Sequence, residues 1–98
     1  MKYEILTTPI FDKWLLNLKD RTTKNKVLAR LARVENGNFG DVKQLAEDLF
    51  ELRYFIAGGI RIYYTIQLNI VVLLLNGGDK ESQKKDIKKA KQLLEELE

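Results

Sequence analysis

Residues 51–64 read ELRYFIAGGIRIYY: two short segments of alternating apolar residues around Gly58-Gly59, each with an arginine in its middle. A one-residue slip of a strand turns every side chain to the other face, so the apolar pattern fixes the register. Phe50, Leu52, Tyr54 and Ile56 share a face with Ile60, Ile62, Tyr64 and Ile66 when the connection is the odd-numbered Ala57-Gly58-Gly59. A two-residue loop would set Ile56 against Arg61. The expected hairpin therefore turns Glu51, Arg53 and Phe55 to one side, where they pair with Thr65, Tyr63 and Arg61 in that order. A half-buried sheet always shows water a polar side, but Lys and Glu usually furnish it. The planar fork of Arg suits phosphate through paired hydrogen bonds, and a neighbouring tyrosine offers a ring to a base and a hydroxyl to a phosphate oxygen.

Outward from the hairpin the period of two continues. The segments VKQL, LFELRYFI, IRIYYTI and NIVVLLL, beginning near Asp41, predict an antiparallel meander. The run Ile70–Leu75 is apolar on both faces and belongs near the sheet centre, with helices over one side. Upstream the period is helical. After a short strand at Tyr3–Leu6, Thr7-Thr8-Pro9 supplies a hydroxyl cap and a first-turn proline, and Ile10, Phe11, Trp14, Leu15 and Leu18 form one stripe with Trp14 in the core. A second helix is expected over Thr23–Glu35, burying Val27, Leu28, Leu31 and Val34 while Lys24, Lys26, Arg30 and Arg33 point elsewhere. Asn36-Gly37-Asn38 ends it, and the two helices form an antiparallel hairpin. Downstream, Ser82 is placed to cap a helix with Ile87, Ala90, Leu94 and Leu97 on one stripe. The expected fold is α+β: two N-terminal helices on a twisted antiparallel sheet of four to five strands, plus a C-terminal helix, as a single domain over residues 1–98.

The totals restrict the chemistry. The chain has 98 residues, 45% hydrophobic and 32% charged, a composition typical of folded proteins. It has no cysteine and no histidine, which excludes disulfides, thiolate or imidazole zinc sites and Ser-His-Asp catalysis. Proton transfer falls to Tyr, Lys, Asp or Glu. No apolar run approaches the roughly 20 residues of a spanning helix, and no export signal is expected at the N-terminus, so a cytoplasmic location is expected. The net charge of +3 favours an anionic partner.

Lys80, Lys84, Lys85, Lys88, Lys89 and Lys91 crowd the start of the last helix, while Glu95, Glu96 and Glu98 gather at its end. A helix dipole prefers the reverse. An anionic partner at that N-terminus would account for it, against the plainer alternative of a solvated lysine face. Gly77-Gly78 lacks the residues of a phosphate-binding loop and is read as a tight turn. The carboxylates are scattered, with no close pair or metal cage.

The segments FDKWLLNLKD, LARLARVENGNFGDVKQL, ELRYFIAGGIRIYYTI and LLLNGGDKESQKKDIKKA resemble the RelE/HigB group of bacterial toxins within the RelE/ParE superfamily. More narrowly they resemble its addiction module killer protein or phage Gp49-like branch. The likeness spans nearly the whole chain and lies most in GNFGDVK, in ELR followed by G-x-R-x-YY, and in LLLNGGDK followed by Q and DI. It implies a type II toxin that cuts messenger RNA in the ribosomal A site and is neutralised by a cognate HigA-like, DNA-binding antitoxin. It implies no cofactor and no membrane partner. By position, Arg53 and Arg61 match basic residues that contact the scissile phosphate, and Lys80 matches a further active-site cation. Lys43 matches a basic residue near the RNA groove. Asp86 stands about where some members carry a base-stacking tyrosine, and Lys84 and Lys85 lie beside it as further RNA contacts. On the arginine face, Tyr63 is the expected proton carrier or stacking platform and Glu51 the general base. The expected reaction is attack of the ribose 2′-hydroxyl on the adjacent phosphate without a metal. Two other readings remain open: a ParE-like gyrase inhibitor, and an RNA-binding domain without catalysis.

Overall fold

The structure, a computed structural model, describes residues 2–56 and 58–97. Strand β1 (Glu4–Thr7) leads into helix α1 (Pro9–Leu16) and helix α2 (Arg21–Glu35). Strands β2 (Val42–Ala46), β3 (Leu49–Arg53), β4 (Arg61–Gln67) and β5 (Val71–Gly78) follow, then helix α3 (Gln83–Glu96). They form an α+β fold on a five-stranded sheet of order β1-β5-β4-β3-β2. The meander β2 to β5 is antiparallel, as expected, but β1 joins β5 in parallel. From β1 the chain reaches β5 only after two helices and three strands, so no hairpin constrains their relative direction.

The caps explain where the helices begin. Thr8 accepts a hydrogen bond from Phe11 N at 3.1 Å, and Pro9 takes the first turn of α1. Helix α2 starts two residues before the expected Thr23, because Asp20 serves as its cap by accepting from Thr22 N at 3.1 Å and from the Thr23 hydroxyl at 2.8 Å. Ser82 sits at the N-cap position of α3 but makes no capping bond with its side chain. Its hydroxyl donates to the Asp86 carboxylate instead.

Two cores lie on opposite sides of the sheet. On one, Phe11 of α1 and Val27 and Val34 of α2 pack against Leu52, Ile62 and Leu74. On the other, Ala90 and Leu93 of α3 pack against Leu49, Tyr63, Leu73 and Leu75. Helices therefore cover both sides, where the sequence reading expected them on one. This is why β5 is apolar on both faces: Val72, Leu73, Leu74 and Leu75 are all buried. It also means that the arginine face of the hairpin lies partly beneath α3.

The hairpin keeps the expected faces but differs in register. Arg53 pairs with Arg61 and Glu51 with Tyr63, a two-residue shift from the expected pairing of Arg53 with Tyr63. The loop is longer than Ala57-Gly58-Gly59, because pairing ends with the bond from Tyr54 N to Ile60 O at 2.8 Å. Ala57 itself lies outside the described residues. Arg30 stands against this end of β3. Expected to point away from the core, it is 7% exposed and donates to the carbonyls of Phe39, Asp41 and Arg53. Its guanidinium also lies 4.4 Å from the Tyr54 ring centroid, and the Tyr54 hydroxyl reaches the Lys26 carbonyl. These contacts draw the end of β3 onto α2.

Candidate functional site

Two rungs that neighbour each other on one face of the sheet, with the Leu52–Ile62 rung between them, carry the polar face. The first runs Lys43, Glu51, Tyr63, Asn76 across β2, β3, β4 and β5. The second runs Arg53, Arg61, Gly78 across β3, β4 and β5. Arg53 turns its own N–H to the Asp41 carbonyl at 3.0 Å, away from β4. Arg53 and Arg61 are thus a non-hydrogen-bonded pair, the kind in which opposed side chains stand closest. Like charges at such a pair repel.

Lys80 joins them from beyond β5. Its backbone N–H donates to the Gly58 carbonyl at 3.2 Å, which ties the segment after β5 to the hairpin turn. Gly59 has φ +80, and a Cβ there would stand 2.9 Å from Arg61 Nη1 and 3.5 Å from Lys80 Cβ. The turn needs glycine both for its backbone angle and for the room that the cations occupy. Three cations therefore gather at one end of the sheet.

They are held differently. Arg61 has a side chain 12% exposed; its Nη1 donates to the Gly59 carbonyl at 2.7 Å, and its Nε lies 3.8 Å from Glu51 Oε2. Arg53 is one-third exposed, with Nε 3.5 Å from Asp41 Oδ2 and its guanidinium carbon 5.9 Å from the Phe55 ring centroid. A half-exposed pair of that kind holds weakly and yields readily to another anion. Lys80 is exposed, as are Lys43, Lys84 and Lys85, while Asp86 is half-buried.

Glu51 and Tyr63 are placed otherwise than expected. Both are fully buried beneath α3. Glu51 Oε2 accepts from Gln83 Nε2 at 3.0 Å, so α3 itself closes over the carboxylate. The Tyr63 phenol is pushed far above its ordinary value of 10.0, first by burial and then by the charges of Glu51 and Asp86. It stays protonated, and a ring with no exposed surface cannot stack on a base. Asn76, beside it in the rung, donates to the Asp86 carbonyl at 3.0 Å. Glu51 Oε1, the Tyr63 hydroxyl, Asn76 Oδ1 and the Nε atoms of Arg53 and Arg61 are all buried without a hydrogen-bond partner. Buried polar groups seldom remain so, and the cluster is the least satisfied part of the described fold. Sequence reasoning gave neither Asn76 nor Gln83 a role of its own, although both stand in the LLLNGGDK segment and the Q that follows it.

Gly77 and Gly78 are strand residues, not a turn. A Cβ on Gly77 would come within 2.6 Å of the Trp14 ring on the α1 side. On the opposite side, a Cβ on Gly78 would collide with the Asp86 carboxylate and with Ser82. Trp14 and Asp86 thus clasp the end of β5 from its two faces. Around them opens a cavity of about 430 Å³ whose lining includes Leu18, Ile60 and Asp79.

The fold and the site together define a small α+β protein with Arg53, Arg61 and Lys80 gathered at one end of its sheet. The chain belongs to the family described as Phage derived protein Gp49-like, whose model matches residues 13–95. It is 47% identical over 97 residues to an uncharacterized protein of Haemophilus influenzae, covering 99% of this chain and 98% of that one. Its fold is that of the toxin RelE of E. coli. A mutant of that toxin in the free state superposes with TM-score 0.73 at 18% identity, covering 94% of this chain and 98% of the other. The same mutant in complex with an antitoxin RelBc peptide gives TM-score 0.66 at 17% identity, covering 88% and 95%. Among the described residues, no helix is long and apolar enough to cross a membrane.

Proposed function

We propose that the chain is the toxin of a type II toxin–antitoxin pair and an endoribonuclease that cuts messenger RNA on the ribosome. The observation that carries this reading is the opposition of Arg53 and Arg61 across β3 and β4, with Lys80 bound to the same turn. Two guanidinium groups facing each other cost stability unless an anion lies between them, and a phosphodiester supplies that anion with matching geometry.

The substrate brings its own nucleophile, the ribose 2′-hydroxyl. As the 2′-oxygen bonds to phosphorus to give a 2′,3′-cyclic phosphate, the P–O5′ bond breaks; the 2′-hydroxyl proton passes to water, the departing 5′-oxygen takes one from water, and the protein aligns the 2′-oxygen with the phosphorus and stabilises the charge that builds on the phosphorane oxygens. Arg61, fixed by the Gly59 carbonyl and by Glu51, keeps its remaining N–H groups for the phosphate. Arg53 exchanges its weak hold on Asp41 for a substrate oxygen. Lys80 and Lys43 neutralise the flanking backbone. Glu51 is a positioning residue: fully buried, it touches no substrate and acts by orienting Arg61. The Tyr63 phenol, held protonated, is no base. With acid–base help so limited, the reaction depends on the fit of RNA to the cations, which suits an enzyme whose substrate is presented by the decoding site.

The neutralising partner is an antitoxin of the HigA-like kind. The complex of the fold's relative with an antitoxin peptide supports an antitoxin partner, and the HigA-like kind is part of this proposal. Cytoplasmic action on the ribosome follows from the same reading.

Replacing Arg61 by Ala tests it. Mapping of 5′ ends on a defined message in a translating extract is expected to show cleavage by the wild type and a loss of about 10²- to 10³-fold in the variant, with the thermal transition preserved. Wild-type protein that leaves messages intact but blocks gyrase supercoiling would transfer the chain to the gyrase-inhibiting class.

A further inference from the structure

We infer that Phe55 and Arg53 together form a base-stacking subsite for the nucleotide next to the scissile phosphate. The inference rests on the ribonuclease reading and adds the residue that would grip a nucleobase.

Binding single-stranded RNA calls for a cation on the phosphate and an aromatic face for a base. The aromatic first expected in that role, Tyr63, is sealed under α3 with no exposed surface. Phe55 is the opposite case. It lies in the loop just past β3, 77% exposed, and contributes little to the core. Its ring has the Arg53 guanidinium 5.9 Å from its centroid, within the range of a cation–π contact. Other apolar side chains are as exposed, Leu16 at 74% and Leu68 at 88%. Neither has a π face, and neither borders the cations.

The geometry gives each group a distinct task. Arg53 is two residues from Phe55 and opposite Arg61, so a phosphate held by the two arginines sets its neighbouring nucleoside at the loop. A base there rests on the exposed ring while the guanidinium steadies that ring from its own side. Stacking is tolerant of sequence because every base has a π face. The subsite therefore contributes affinity and positions the strand, and it discriminates among bases only by their stacking strength.

The test uses the full chain with Phe55→Trp, Phe55→Leu and Phe55→Ala, read by 5′-end mapping over a concentration series in the translating extract. Phe55→Leu keeps apolar area without a π face; Phe55→Trp keeps the face. The leucine and alanine variants are expected to need about 5- to 150-fold more protein for half-maximal cleavage, and tryptophan to restore it. A second readout needs no cleavage: emission of the Phe55→Trp protein, less that of the wild type with its own Trp14, is expected to be quenched by a short single-stranded RNA and not by an abasic strand of equal length. Leucine cleaving at the wild-type concentration, or equal quenching by both strands, overturns the subsite while leaving the nuclease intact. A wild type that never cleaves overturns the nuclease reading instead.

Discussion

Arg30 and Arg61 are both guanidinium groups bound to backbone carbonyls, but Arg30 donates to three of them and Arg61 to one. Arg30 spends its donors on Phe39, Asp41 and Arg53 and lies against the Tyr54 ring. Replacing Arg30 by Met would leave those carbonyls unpaired at about 1–3 kcal/mol each. The variant is expected to lose about 3 kcal/mol or more in denaturant unfolding, and Lys should not rescue it, since one ammonium cannot reproduce the fork. Nothing in the helical spacing of α2 separates Arg30 from Arg33, because its burial depends on a loop that the sequence pattern does not place. Arg53 and Arg61 were legible, since alternation alone puts them on one face. For Glu51 the outcome at residue scale is specific. If it works only by orienting Arg61, Glu51→Gln should slow cleavage about tenfold or more alone and add nothing to Arg61→Ala. A general base would still multiply the loss. Independent effects in that double-mutant cycle would reject the positioning role.

At the scale of elements, the period of two marked the four meander strands and the period of 3.6 the three helices, and all appear. Two things were not legible. The stripe of α3 says that one side is buried but not against which face of the sheet, so the cover over Glu51 and Tyr63 was unforeseen. Likewise alternation fixes a face but cannot tell registers two residues apart, and that choice fell to Arg30 and Tyr54. The end of β5 shows a similar limit. Gly77-Gly78 suggests a turn to a reader of sequence, whereas both are strand residues whose missing side chains admit Trp14 on one face and Asp86 on the other. The two glycines should differ in tolerance. The Asp86 carboxylate ends a flexible side chain, but the Trp14 ring is a rigid plane packed on Phe11 with centroids 5.6 Å apart. Gly77→Ala is expected to cost about 2 kcal/mol through overpacking, measured by thermal or urea unfolding, and to exceed the cost of Gly78→Ala.

For the whole molecule, the two cores meet at the sheet, and each contains a tyrosine from β4: Tyr64 toward α1 and α2, Tyr63 toward α3. Burial is the first cause raising both phenols well above the ordinary 10.0. The folded protein therefore keeps both protons at a pH where the unfolded chain releases them. Below about pH 10 the two states bind these protons equally, so stability is unaffected. Above it the unfolded state holds fewer protons, and stability falls as pH rises, by about 1.4 kcal/mol per pH unit for each phenol. Circular dichroism and phenolate absorbance, followed together from pH 9 upward, should show part of the tyrosine signal arriving only as the fold is lost. Phenolate formation complete while the dichroism stays native would contradict the buried positions. Tyr63→Phe isolates one half of the effect. Its hydroxyl has no hydrogen-bond partner, so removing it relieves an unsatisfied buried group and should leave neutral-pH stability unchanged or raised by about 1 kcal/mol. The alkaline loss should become shallower by one phenol's share, because one of the phenol protons that the fold retains is no longer there to be released.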